Sequence, residues 1–145
     1  MLRPVTWDEL KTYDRNPPTG ILERESSMKE KYDQHRKNVK DINSYLMDNL
    51  FANNTKKILF TMNDFPYWVT DDINHLVCWV RPGNEYSIDE VSEILTSVYT
   101  DFVIFENLPA NKSVKLIQHF QIFVKSDGEK IKSDLEYLNK WTPYL

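Results

Sequence analysis

The sequence predicts an α+β fold: a mainly antiparallel sheet with an N-terminal helical hairpin, one inserted helix and a C-terminal helix. Three observations predict it. Helical spacing of apolar residues fills the first third of the chain, short β-branched and aromatic runs are grouped after residue 55, and three S/T-x-x-E signatures mark helix starts. A chain of 145 residues is expected to make one domain, with a helical portion over 1–52 and a sheet-containing portion over 56–145.

Thr6-Trp-Asp-Glu9 has the capping-box form, in which the Thr hydroxyl accepts from the third backbone N–H and the Glu reaches back, so a short helix is expected over 6–14. Asn16-Pro-Pro-Thr-Gly20 ends it as a turn. From Ser26 onward Met28, Tyr32, His35, Val39, Ile42, Leu46 and Leu50 recur at spacings of three or four. That places them on one face of a long helix, with Ser27 and Glu30 as its capping box and His35 as a structural residue at the edge of the stripe.

Past Asn53-Asn54 the chemistry turns β-like. Strands are expected at 58–62, 67–70 and 74–80, the last ended by Arg81-Pro82-Gly83. Ser87-Ile-Asp-Glu90 is a third capping box, and Ile88, Val91, Ile94, Leu95 and Val98 follow at helical spacing, giving a helix over 87–99. Two strands over 101–107 and 113–125, a turn at Asp127-Gly128 and a helix over 129–141, with Ile131, Leu135, Leu138 and Trp141 facing inward, complete the chain.

Composition excludes several functions. Eighteen Lys and Arg against 22 Asp and Glu give a net charge of −4 and a pI near 5.4, so no general positive field exists to hold a nucleic-acid backbone. The content of 41% hydrophobic and 13% aromatic residues is that of a folded chain. Cys78 is the only cysteine, which rules out an internal disulfide and multi-cysteine metal sites and suits a reducing compartment. The start of the chain has no apolar leader-like core, and the longest apolar stretch, Leu76 to Val80, is far below the roughly 20 residues of a membrane span, so a cytoplasmic protein without membrane contact is expected. Gly20, Gly83 and Gly128 are too scattered for a phosphate-binding glycine loop, and no H-x-x-x-H, H-E-x-x-H or G-x-S-x-G spacing occurs, so no metal or cofactor is predicted.

One constellation suggests chemistry. Strand alternation puts His75, Val77, Trp79 and Arg81 on one face of the 74–80 strand. In the 113–125 strand it puts Ile117, His119, Gln121 and Phe123 on one face, and Leu116, Phe120, Ile122 and Val124 on the other. A loop bearing Asn107, Asn111, Lys112 and Ser113 leads in and has the donors to wrap a phosphate. If the two polar faces coincide, the sheet offers a nucleotide site: Trp79 to stack a base, Arg81 or Lys112 to meet phosphate, and His119 as base or nucleophile. The competing reading is a sheet covered on both sides whose His and Gln are hydrogen-bonded core residues and whose Trp79 is packing.

The whole chain resembles the N-acetylglucosamine-induced protein family, a domain of unknown function found in fungi, other eukaryotes and some large DNA viruses. The resemblance is carried by Thr6-Trp-Asp-Glu-Leu-Lys11, Leu22-Glu-Arg-Glu-Ser-Ser27, Asn43-Ser-Tyr-Leu46, Asn63-Asp-Phe-Pro-Tyr67 and His119-Phe-Gln-Ile-Phe-Val124. It implies no mechanism. A partial resemblance, through His75-Leu-Val-Cys-Trp-Val-Arg-Pro82, Lys112-Ser-Val114 and the His119 strand, is to the histidine-triad (HIT-like) nucleotide hydrolases and transferases. It implies that His119 takes the place of the nucleophilic middle histidine, Gln121 the last position of the motif and Ser113 a phosphate contact, with His75, Trp79, Arg81, Asn107 and Lys112 around the ligand. Ile117 stands where that superfamily has its first histidine, Lys112 where it has Gln, and the phosphate-loop glycines are missing. The ligand expected on this reading is a nucleotide or phosphorylated small molecule. The alternative is a non-catalytic interaction protein that docks a partner through its N-terminal helices and an exposed aromatic such as Trp7 or Tyr144.

Overall fold

A computed structural model of the chain describes residues 3–112 and 114–141. Ser113, Tyr144 and the side chain of Trp141, all named above, lie outside the described residues. The architecture is α+β. Helices α1 (Trp7–Lys11), α2 (Ser26–Asn38) and α3 (Ile42–Leu50) precede strands β1 (Ile58–Met62) and β2 (Ile73–Val80). Then come α4 (Ile88–Leu95), β3 (Val103–Phe105), a single 3₁₀ turn at Pro109–Asn111, β4 (His119–Lys125) and α5 (Gly128–Trp141). The four strands form one antiparallel sheet in the order β1-β2-β4-β3.

The capping boxes at Thr6–Glu9 and Ser87–Glu90 both form, each with the hydroxyl accepting from the Glu N–H and the Glu side chain returning to the cap. The expected box at Ser27–Glu30 does not, because α2 starts two residues earlier, with Glu25 in place of Ser27 at the cap position and no side-chain hydrogen bond there. Nor is the stretch from 26 to 50 one helix. Val39 is extended, at φ −101° and ψ 109°, and Asp41 re-caps the chain by accepting from the N–H groups of Asn43 and Ser44. A carboxylate two residues beyond a β-branched residue offers the backbone a competing partner, and apolar periodicity alone does not register it.

The sheet divides two environments. On one face Ile58, Phe60, Leu76, Cys78, Val80, Phe120, Ile122 and Val124 pack against Val91 and Leu95 of α4 and Ile131 and Leu138 of α5. Each of these large side chains is almost fully buried and contributes about 1.5–3 kcal/mol. Cys78 lies in this layer, where burial pushes its thiol pKa up and makes it a packing residue. The other face is covered over part of its area by Trp7, Leu10 and Tyr67, which meet Ile73, Val103, Phe105 and Phe123. Trp7 is therefore core, and not a docking aromatic.

The predicted strand at 67–70 amounts to one parallel bridge between Val69 and Val5. Here Val5 donates to the Trp68 carbonyl at 2.8 Å and accepts from Thr70 at 3.1 Å, while Trp68 N–H donates to Glu23. The expected long strand over 113–125 begins only at His119, so Leu116 belongs to no face of the sheet and is 74% exposed. The helix expected over 87–99 ends at Leu95 and the strand over 101–107 shrinks to Val103–Phe105.

Candidate functional site

The antiparallel register sets Trp79 opposite His119, Val77 opposite Gln121 and His75 opposite Phe123. Directly opposed residues point to the same side of a sheet, so the two alternating rows share one face. Over this part of the sheet the cover is α2 and α3, neither of which has a fully buried residue. Their apolar stripe, Tyr32, His35, Ile42, Leu46 and Leu50, faces a cavity of about 440 Å³ instead of a packed layer. The floor of that cavity is Thr61, Val77, Trp79, His119 and Gln121, and its rim includes Arg24, Tyr67 and Asn107.

Two histidines in this region have opposite roles. His75 is fully enclosed, stacked on Phe123 at 4.3 Å between ring centres and against Tyr67 at 4.8 Å. Tyr67 N–H donates to its Nδ1 at 3.1 Å, so Nδ1 carries no proton and Nε2 must carry it, donating to Gln121 Oε1 at 2.6 Å. Burial drives its pKa from 6.5 to about 3, and the neutral tautomer is locked. His75 is thus consumed by the framework. What it does for the site is orient Gln121: with the amide oxygen on His75, the NH₂ end has no partner among the described residues.

His119 is held the other way round. Its Nδ1 lies 2.8 Å from the Ile117 carbonyl, and a carbonyl only accepts, so Nδ1 bears the proton and Nε2 keeps its lone pair. No described residue bonds that Nε2. Burial lowers the pKa, only partly opposed by the Ile117 hydrogen bond, which keeps the ring neutral at physiological pH. The ring is stacked on Trp79 at 5.1 Å and 30°, and the indole is itself pinned by donating to Thr61 Oγ1 at 3.0 Å. A fixed neutral imidazole with a free nitrogen at a cavity wall is equipped to act as a base or nucleophile. Asn107 joins the rim by donating to the Tyr67 hydroxyl at 3.2 Å, and burial raises the pKa of that phenol.

The two cations assigned to phosphate from sequence lie elsewhere. Lys112 pairs with Glu106 at 2.8 Å and does not line the cavity. Arg81 donates to the carbonyls of Lys56 (2.6 Å), Phe51 (3.0 Å) and Asn54 (2.6 Å) and to the Asn54 side chain (3.1 Å), with its guanidinium over the Phe51 ring. It ties the end of β2 to the chain that follows α3, and alternation cannot foresee that a long side chain at a strand end turns to orphaned carbonyls of a helix terminus. Arg81→Ala is accordingly expected to cost about 3 kcal/mol of stability, a fall in melting temperature of roughly 10 °C, because several carbonyls lose a charged donor at once. Urea and thermal denaturation measure it; an unchanged melting temperature would mean that the side chain is free for other work.

Arg24, His35, Arg36 and Tyr67 line the cavity and had no place in the sequence-derived site. Arg24 donates from Nε to the Phe65 carbonyl at 2.7 Å and lies over the rings of Tyr32 and Tyr67. His35 packs against Tyr45 and Phe65, each at 5.0 Å. A signal for Arg36 was legible: it falls four residues after Tyr32, which sets a cation on the apolar side of α2. Among the described residues no three His, Cys, Asp or Glu side chains come together to hold a metal ion, and no helix is long and apolar enough to cross a membrane.

Residues 6–93 match the protein family described as "Protein of unknown function (DUF3605)", consistent with the resemblance to the N-acetylglucosamine-induced proteins. No curated protein matches the chain. Among solved structures it is similar to the crystal structure of HTC1, at 19% identity and a TM-score of 0.64, over 92% of this chain and 95% of that one. That likeness is one of fold.

Proposed function

We propose that this chain, which belongs to the DUF3605 family, binds a nucleotide or related phosphorylated small molecule between the sheet and helices α2 and α3, and that His119 attacks its phosphorus. The observation that carries this reading is the pairing of the His119 Nδ1 proton with the Ile117 carbonyl, which leaves Nε2 as an unprotonated donor of electrons at the cavity. The partial HIT-like resemblance supports the same assignment, with Gln121 following His119 at the next position on the face.

The step balances without a metal. Nε2 donates its lone pair to the α-phosphorus, and the P–O bond to the leaving nucleoside phosphate or sugar phosphate breaks, its electron pair leaving on an oxygen that is stable as an anion. The positive charge created on the ring is shared with the Nδ1–H, which the Ile117 carbonyl already accepts. The Gln121 NH₂ group, aimed away from His75, donates to a phosphoryl oxygen as charge builds there. Water then attacks the phosphorus, the P–N bond breaks with its electrons returning to Nε2, and the proton of water passes to solvent. Trp79, beside the reacting ring, gives an aromatic face for a base.

The test is covalent capture. Incubating the protein with an α-phosphorus-labelled dinucleoside polyphosphate or sugar nucleotide, followed by an alkaline quench that preserves the P–N bond of a nucleotidyl-histidine, should leave label on the peptide containing His119 and release a nucleoside monophosphate. Neither label nor released product across these substrates would refute the catalytic assignment.

A further inference from the structure

We propose that Arg36, assisted by Arg24, is the anion subsite of this cavity and receives the phosphate of its ligand. The inference rests on the ligand-binding reading above and extends it to the chemistry of recognition. A phosphate ester brings between one and two negative charges, and burying them beside an apolar stripe requires a cation with matching donors. Lys112 and Arg81 are committed to Glu106 and to backbone carbonyls, so the charge has to come from elsewhere.

Arg36 has the properties this needs. It sits in the last turn of α2, lines the cavity and forms no ion pair with a described residue. Its Nη1 is buried with no hydrogen-bond partner among the described residues. A buried guanidinium N–H left unpaired is costly, and folded proteins rarely keep one, so an acceptor that binds there gains a donor already desolvated and in place. Arg24 reaches the same cavity from the segment before α2. Its Nε is taken by Phe65, which fixes the plane of the group and leaves its Nη atoms for a second oxygen. Among the described residues the only carboxylate on the lining is Asp64, which is exposed, so two arginines against one acid make the cavity locally positive in a chain whose net charge is −4. Planar forks that match phosphate oxygens are the reason Arg outperforms Lys in such sites. The ligand class is therefore an organic body carrying a phosphoryl group, with unphosphorylated nucleosides or sugars bound poorly.

Isothermal titration with AMP, inorganic phosphate and adenosine tests it on the wild type, Arg36→Met and Arg36→Lys. AMP and phosphate are expected to bind the wild type and to lose at least tenfold in affinity in Arg36→Met, about 1.4 kcal/mol, while Arg36→Lys keeps part of it. Adenosine should bind more weakly than AMP to the wild type and be indifferent to the substitution. The ligand-free Arg36→Met protein should melt no lower than the wild type, because it has lost an unpaired donor and no hydrogen bond or ion pair with a described residue, while the Met side chain keeps the packing of the aliphatic stem; a lower melting temperature would point to a structural role. Equal AMP affinity in Arg36→Met, or a wild type that binds neither AMP nor phosphate, overturns the subsite. Phosphate binding that depends on Arg36, with no label ever appearing on His119, would keep the subsite and remove the catalytic reading.

Discussion

Replacing His119 by alanine is expected to lower nucleotide turnover at least a thousandfold, about 4 kcal/mol of lost transition-state stabilisation, while leaving AMP affinity within a few fold. The asymmetry follows from the proposed roles: on that reading the ring supplies the attacking nitrogen, whereas the anion and the base are held by other side chains. His119→Asn is the sharper variant, since an amide NH₂ can still donate to the Ile117 carbonyl but presents nothing in place of Nε2. Exogenous imidazole should restore part of the turnover in His119→Ala, entering the space the ring vacates beside Trp79. Rescue of that kind distinguishes a chemical role from a packing role. The acid limb of kcat/KM should lie below pH 6.5, because burial lowers the pKa of the ring and the reactive form is the neutral one. An Ala variant that turns over like the wild type would leave His119 as one more hydrogen-bonded core histidine.

Much of this arrangement was legible in the chain, and the parts that were not share a cause. The period-2 rows of β2 and β4 could be read from sequence because they depend only on backbone alternation within each strand. That the rows face the same way depends on which residues pair, and Trp79 opposite His119 is a register that no local pattern states. The stripe on α2 and α3 was likewise visible, but a stripe announces only an apolar face; whether it meets side chains or a cavity is decided by how α2 and α3 sit above the sheet, and the break at Val39 helps to set that. His35, read as a stripe residue, lines the cavity for this reason. Arg81 illustrates the reverse. It falls just past the end of β2, and its seven-atom side chain goes to the carbonyls beyond α3, a long-range demand that comes from a helix end some 30 residues earlier in the chain. The family match adds kinship without chemistry, and the likeness to HTC1 adds a fold, so the function rests on the site itself.

Acid should dismantle this site before it unfolds the carboxylate contacts, and His75 is the reason. Its folded pKa, about 3, lies below the ordinary value of 6.5, so the unfolded chain takes up a proton that the folded protein refuses. The stability this gives is complete above pH 6.5 and is lost progressively as pH falls from 6.5 toward 3. Between pH 7.5 and pH 5.0 His75 alone accounts for about 2 kcal/mol, and His119, shifted in the same direction, adds to it. Glu9, Asp41 and Asp72, whose pKa values are also lowered, have ordinary values of 4.5 or below and leave this window to the histidines. Urea denaturation at the two pH values measures the difference. His75→Gln, which cannot titrate yet offers a donor to Gln121, is expected to be less stable than the wild type at pH 7.5 but to lose the His75 share of the difference between pH 7.5 and 5.0, leaving that of His119. Protonating His75 would put a second donor against the Tyr67 N–H, break the bond that the Nδ1 lone pair accepts and release the local order that aims Gln121, so ligand binding should weaken over the same range. A wild type equally stable at both pH values would mean that His75 is not held neutral, and the tautomer argument that orients Gln121 would fall with it.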